Sequence, residues 1–142
     1  TIQRTSISVK CIIISSNFYK SVFGFSEKIQ KTVALSKIPA YPPALKYPEG
    51  SFQFMILSLA NDKTMLGLMS FTPEIPIQTA ALVFTTDKIQ EVSNKFELFG
   101  GKVTMPIRKG ESLDPSLGKS KPSLVLMGLD PDGHFIEVIN FL

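Results

Sequence analysis

The chain has 142 residues, 44% of them hydrophobic, enough for one domain that buries a sizeable core without staples. A net charge of +3, with acids and bases well mixed, is too weak a bias for a nucleic-acid partner, and no stretch of about 18 apolar residues offers a membrane span. The single cysteine, Cys11, excludes an intramolecular disulfide and fits a reducing, cytoplasmic setting; residues 1–10 lack a signal-peptide pattern, so none is expected, and no initiator Met stands at the start.

Residues 5–14 (TSISVKCIII) are rich in β-branched side chains and predict a strand. Ser15 then offers a helix N-cap and Gly24 a stop, with Phe18, Tyr19 and Val22 on one helical face. A second strand is predicted within 26–37. Residues 38–50 hold four prolines and a glycine and predict a loop, either a lid carrying Tyr41 and Tyr47 or an exposed connection. FQFMILSL (52–59) and TMLGLMSF (64–71) read as a hairpin. Pro73 and Pro76 mark a linker at 72–77, which divides the chain into modules 1–71 and 78–142. A strand at 79–86 follows. A helix of about three turns then begins at Asp87, with Ile89, Val92, Phe96 and Phe99 on one face, and Gly100 and Gly101 end it. Residues 102–107 predict a strand, 108–122 a polar loop, and 123–129 with 134–141 a closing hairpin around the turn DPDG.

The order β-α-β-β-β thus occurs twice. A shift of 76 residues lays Asp87 on Cys11 and the helix stop 99–101 on 23–25. A shift of 70 lays Leu129 on Leu59 and Val138 on Leu68. Both observations point to duplication of one supersecondary unit.

The segment ISVKCIIISSNFYKSVFGF (7–25), with Phe18, Tyr19, Gly24 and Phe25, resembles the opening of a vicinal oxygen chelate module. LVLMGLDPDGHFIEVINF (124–141), with Asp130, Pro131, Asp132, Gly133 and Glu137, resembles the close of one, and 96–107 fits its helix-to-strand join. This is the family of glyoxalase I, bleomycin-resistance proteins and extradiol dioxygenases, and the likeness covers nearly the whole chain, most weakly at 26–50. It implies an α+β fold of two tandem βαβββ modules forming a cupped mixed sheet around a small-molecule pocket. It also implies a homodimer.

Family enzymes hold a divalent metal in the cup through residues on each module's first and last strands. Carried over, the resemblance places Glu137 at the last-strand carboxylate of the second module. The repeat sets Gly67 at the matching position of the first module, and Ala80 and Arg4 at the first-strand positions. Gln3 and Gln78 lie beside those positions, so a metal site of Gln3, Gln78 and Glu137 requires a different register. Otherwise Arg4 could pair with Glu137 or grip an anionic ligand. The only histidine, His134, is expected at the surface. Cys11 is expected as a buried structural thiol, and Tyr19 and the phenylalanines as core. Met55, Met65, Met69 and Met127 could line an apolar pocket, with core packing the default. Gly110 and Gly118 lack a phosphate-binding spacing.

Three functions follow from the resemblance. The favoured one is a metal-free protein that, like the bleomycin-resistance branch, holds a flat or cationic small organic molecule in the cup between two chains, with Arg4, Tyr41 and Tyr47 as ligand contacts. The second is a metal-dependent lyase or dioxygenase that uses Glu137 catalytically. The third is a non-catalytic interaction domain.

Overall fold

The computed structural model describes residues 2–142. In chain order it holds β1 (Thr5–Ser8), α1 (Ile12–Phe23), β2 (Ser26–Ala34), a 3-10 turn (Leu35–Lys37), α2 (Pro42–Lys46), β3 (Ser51–Leu59) and β4 (Thr64–Thr72). The second half repeats the order with β5 (Ala81–Thr85), α3 (Ile89–Phe96), β6 (Lys102–Asp114), β7 (Lys119–Leu129) and β8 (Phe135–Phe141). Two four-stranded sheets result, ordered β1-β4-β3-β2 and β5-β8-β7-β6. In each, the first strand runs parallel to the last and the other pairings are antiparallel. The fold is α+β, with two βαβββ modules. No helix among the described residues is long and apolar enough to cross a membrane.

Alternation assigns the faces of each sheet. Ile7, Leu66, Leu68, Met55 and Leu57 pack under α1, and Leu126, Ile136 and Val138 pack under α3. These helix-bearing faces share one core, because α1 and α3 touch. Phe18 and Phe96 meet edge-to-face across that seam, with centroids 5.2 Å apart. Ser15 and Ser16 are buried on α1 and let the helix approach closely. Gly101 and Gly128 make room for the Phe96 ring, since a Cβ on either would lie within 2.7 Å of it.

Four expectations about the elements change. The strand expected at 5–14 ends at Ser8, and α1 starts at Ile12 with Cys11, not Ser15, at its N-cap. The three isoleucines are helical because Ile12 is needed in the core, while Ile13 and Ile14 stay exposed. The helix expected from Asp87, α3, has two turns, not three. Residues 38–50 contain α2, which starts with Pro42 and Pro43 at the positions that tolerate a missing N–H. The polar loop expected at 108–122 is instead the far half of a long β6–β7 hairpin, closed at residues 115–118. Pro122 reads as a breaker but does not break this strand. Its carbonyl accepts from the N–H of Leu142, just past β8, so its missing N–H faces the end of that strand and leaves the pairing with β6 intact.

A buried polar clasp joins the modules. The Tyr19 hydroxyl donates to Asp130 Oδ2 at 2.6 Å, and Asp130 Oδ1 accepts from the N–H groups of Asp132 and His134. His134 is fully buried rather than at the surface. Its Nδ1 accepts from the Ala80 N–H at 2.9 Å, and its Nε2 lies 2.7 Å from the Ser8 carbonyl, which fits a neutral ring that donates there. Burial first, and then the Asp130 charge, push the Tyr19 hydroxyl well above its ordinary range, so it remains a donor. Cys11 is half-buried, not buried.

Candidate functional site

The faces of the two sheets away from the helices are concave and open. On the first, β1 presents Ser6 beside Gly67 of β4, which stands beside Ile56 of β3. Arg4, Ser6, Tyr41, Phe52, Phe54, Gly67 and Met69 line a hollow of about 330 Å³. Over one end of this face lies the 35–47 segment, packed on Phe52 and Phe71. Tyr41 tilts over both rings at 6.1 and 6.3 Å, and its hydroxyl donates to Met69 Sδ at 3.7 Å. Burial raises its pKa. Tyr47 packs into the same cluster but does not line the hollow; Lys46 lies over its ring.

On the second concave face, Glu137 sits between Val83 of β5 and Met127 of β7. It is half-buried, with Ile136 and Val138 turned into the core behind it. Glu137, Met105, Met127, Val125, Arg108 and Ser112 help line a hollow of about 340 Å³. This hollow shares no lining residue with that of Arg4. The structure therefore brings Arg4 beside Gly67 and does not bring it to Glu137 within the chain.

Register explains where the other candidates fall. Ser6 pairs with Gly67 and Val83 pairs with Glu137, so the first strands repeat at a shift of 77, not 76. The shift returns to 76 at the helix stops, where Gly24 and Gly100 both have positive φ. The concave-face counterparts of Arg4 and Ser6 are thus Ala81 and Val83. Ala80 packs toward the core instead, since a slip of one residue exchanges faces. Gln3 accepts a 2.8 Å hydrogen bond from Arg4 Nη1 in solvent. Gln78 lines a neighbouring hollow that shares Ser6, Tyr41 and Met69 with that of Arg4. Of the methionines, Met69, Met105 and Met127 reach the concave faces, whereas Met55 is core and Met65 lines a separate hollow.

Gly67 does more than omit a carboxylate. A Cβ there would lie 2.5 Å from Ser6 Oγ and 3.5 Å from Arg4 Nε. Ser6 and Arg4 occupy the space into which a side chain at 67 would project. A hard divalent ion needs several oxygen or imidazole donors converging on one point. Around Glu137 stand Val83 and Met127, with Arg108, Lys109, Ser112 and one further carboxylate, Glu111, on the wall of the same hollow, and around Gly67 stand a serine and an arginine. Among the described residues no three His, Cys, Asp or Glu side chains are grouped to hold a metal ion. The donor set does not fit the metal of the family enzymes.

Arg108 was not legible as a site residue, because the segment around it reads as loop. The signal that could have found it is Pro106, a proline inside an otherwise strand-like run, which marks a bulge.

Two open concave sheets, each closed behind by one helix of a repeated unit, define the class. The chain belongs to the glyoxalase/bleomycin resistance protein/dioxygenase superfamily, whose family model matches residues 1–138. A glyoxalase-family protein from Bacillus cereus is 12% identical and superposes with a TM-score of 0.76, covering 99% of this chain and 93% of that one. A virulence protein from Salmonella typhimurium is 20% identical, with a TM-score of 0.60 and coverage of 100% and 97%. A glyoxalase I mutant from Zea mays is 15% identical, with a TM-score of 0.62 over 97% of this chain and 44% of that longer one. At these identities the likeness is one of fold. No curated protein sequence matches the chain.

Proposed function

We propose that the protein binds a small organic molecule on its concave surface without a protein-held metal. The observation that carries this reading is the hollow at Arg4. Where the family's chemistry needs a carboxylate stands Gly67, with Arg4 and Ser6 folded over it and Tyr41, Phe52, Phe54 and Met69 around it. Such an apolar, aromatic wall with a few polar groups suits a flat ligand of modest size. Arg4 and Tyr41 are the contacts on this side; Tyr47 supports the covering segment. Metal-dependent lyase or dioxygenase chemistry has Glu137 alone in its favour, and a pure interaction role leaves the hollow unexplained.

The hollows on both faces are open on their concave side. We infer a homodimer in which each face is completed by the partner. In support, the edge strand β5 leaves Val83 62% exposed beside Glu137.

A thermal-shift screen of small organic compounds, with hits mapped by backbone-amide NMR, tests the binding reading. Hits are expected to move the amides of Gly67, Met69 and Tyr41. Hits that move only α1 and α3 would contradict it.

A further inference from the structure

The chain contains two arginines, Arg4 and Arg108; its other basic residues are lysines. Each arginine lines the hollow of one concave face. The position of Arg108 is the work of a bulge. Met105 pairs with Met127 and Arg108 with Val125, so β6 holds one extra residue between them. Unbroken alternation from Met105 would set Ile107 on the concave face and Arg108 behind it. Instead Ile107 packs on the core, and Arg108 turns into the hollow beside Val125, Met127 and Glu137. Bulges commonly re-aim a side chain in this way, and Pro106 tolerates the interrupted pairing.

Neither guanidinium forms an ion pair among the described residues. Arg4 donates to the neutral amide of Gln3. No acidic residue lines the Arg4 hollow, whereas Glu111 and Glu137 share the other one with Arg108 and Lys109. A guanidinium offers a planar fork of donors that matches the paired oxygens of an oxyanion, which an ammonium does not.

We infer that the ligand is an amphiphilic oxyanion, a flat apolar body bearing a carboxylate, phosphate or phosphonate, held chiefly at Arg4 on the first concave face and more weakly at Arg108 on the second, where Glu111 and Glu137 oppose it. This rests on the concave surface being the ligand site. The positive charge that family enzymes take from a metal is supplied here by side chains, and the oxygens come from the ligand.

Phenylphosphonate and benzoate, with benzamide and benzylamine as neutral and cationic counterparts, test this in an amide NMR titration of the full chain. The two anions are expected to move the amides of Gly67 and Gly110 and to bind about tenfold more tightly than benzamide. Arg4→Gln is expected to weaken phenylphosphonate about tenfold, and Arg108→Gln by a smaller factor, with benzamide unchanged in both. Lys95→Gln, which removes the same charge from an exposed helix position, is expected to leave both probes unchanged. Benzamide or benzylamine binding the concave face as tightly as the anions overturns the inference and leaves the site standing. So does an Arg4→Gln protein that binds phenylphosphonate like the parent. If none of the four probes moves a concave-face amide, the site reading falls with it.

Discussion

At Gly67 a missing side chain decides both packing and chemistry. The Ser6 hydroxyl lies where a Cβ would press to 2.5 Å, and Arg4 lies just beyond it. Gly67→Ala should therefore cost about 1 kcal/mol, because the exposed Ser6 side chain must leave its position to admit the new methyl. Urea denaturation measures it, and adding Ser6→Gly should recover most of the loss. A neutral Gly67→Ala variant would show that Ser6 and Arg4 have free space elsewhere. The sequence marked Gly67 as the position without a carboxylate, because the repeat and Glu137 located it. It could not show Ser6 in the way, since that contact depends on the pairing of β1 with β4. His134 shows the same limit. Its neighbours in sequence are the polar turn residues of DPDG, and it is buried by Ser8 and Ala80, which lie more than fifty positions away.

Elements were legible where a local pattern and the tertiary demand agree. The apolar faces of α1 and α3, the hairpin of β3 and β4, and the closing hairpin all read correctly, because period and turn chemistry coincide there. They were misread where tertiary packing overrides local preference. Ile12 joins a helix despite its β-branching, and Gly110 and Pro122 sit in strands despite reading as breakers. The one-residue change of shift between β1 and the stop of α1 also escaped, since two short strands offer no internal marker of register. The seam between helices carries its own prediction. Phe96 is fully buried, faces Phe18 at 5.2 Å and fills the room left by Gly101 and Gly128. Phe96→Ala should cost about 3–5 kcal/mol in thermal or chemical unfolding, and it should loosen both modules together. If instead the first module kept its amide protection while the second lost it, the shared core would not be the cooperative unit described here.

For the whole molecule, duplication explains the architecture and divergence explains the site. Two copies of one unit give two sheets of identical strand order. The helices bury one face of each sheet in a common core and leave the other open. Separate hollows on those open faces are the reason for proposing a dimer. Sedimentation at micromolar concentration is expected to give a single species of twice the chain mass, and only monomer would count against the pairing. The two modules do not present matching metal donors among the described residues. Glu137 stands on one face and Gly67, Ser6 and Arg4 on the other, which is where we propose that an oxyanion binds. Elemental analysis of protein purified without chelators tests this central claim most directly. The expected result is no stoichiometric nickel, manganese, zinc or iron. One divalent ion per chain, lost on Glu137→Gln, would contradict it.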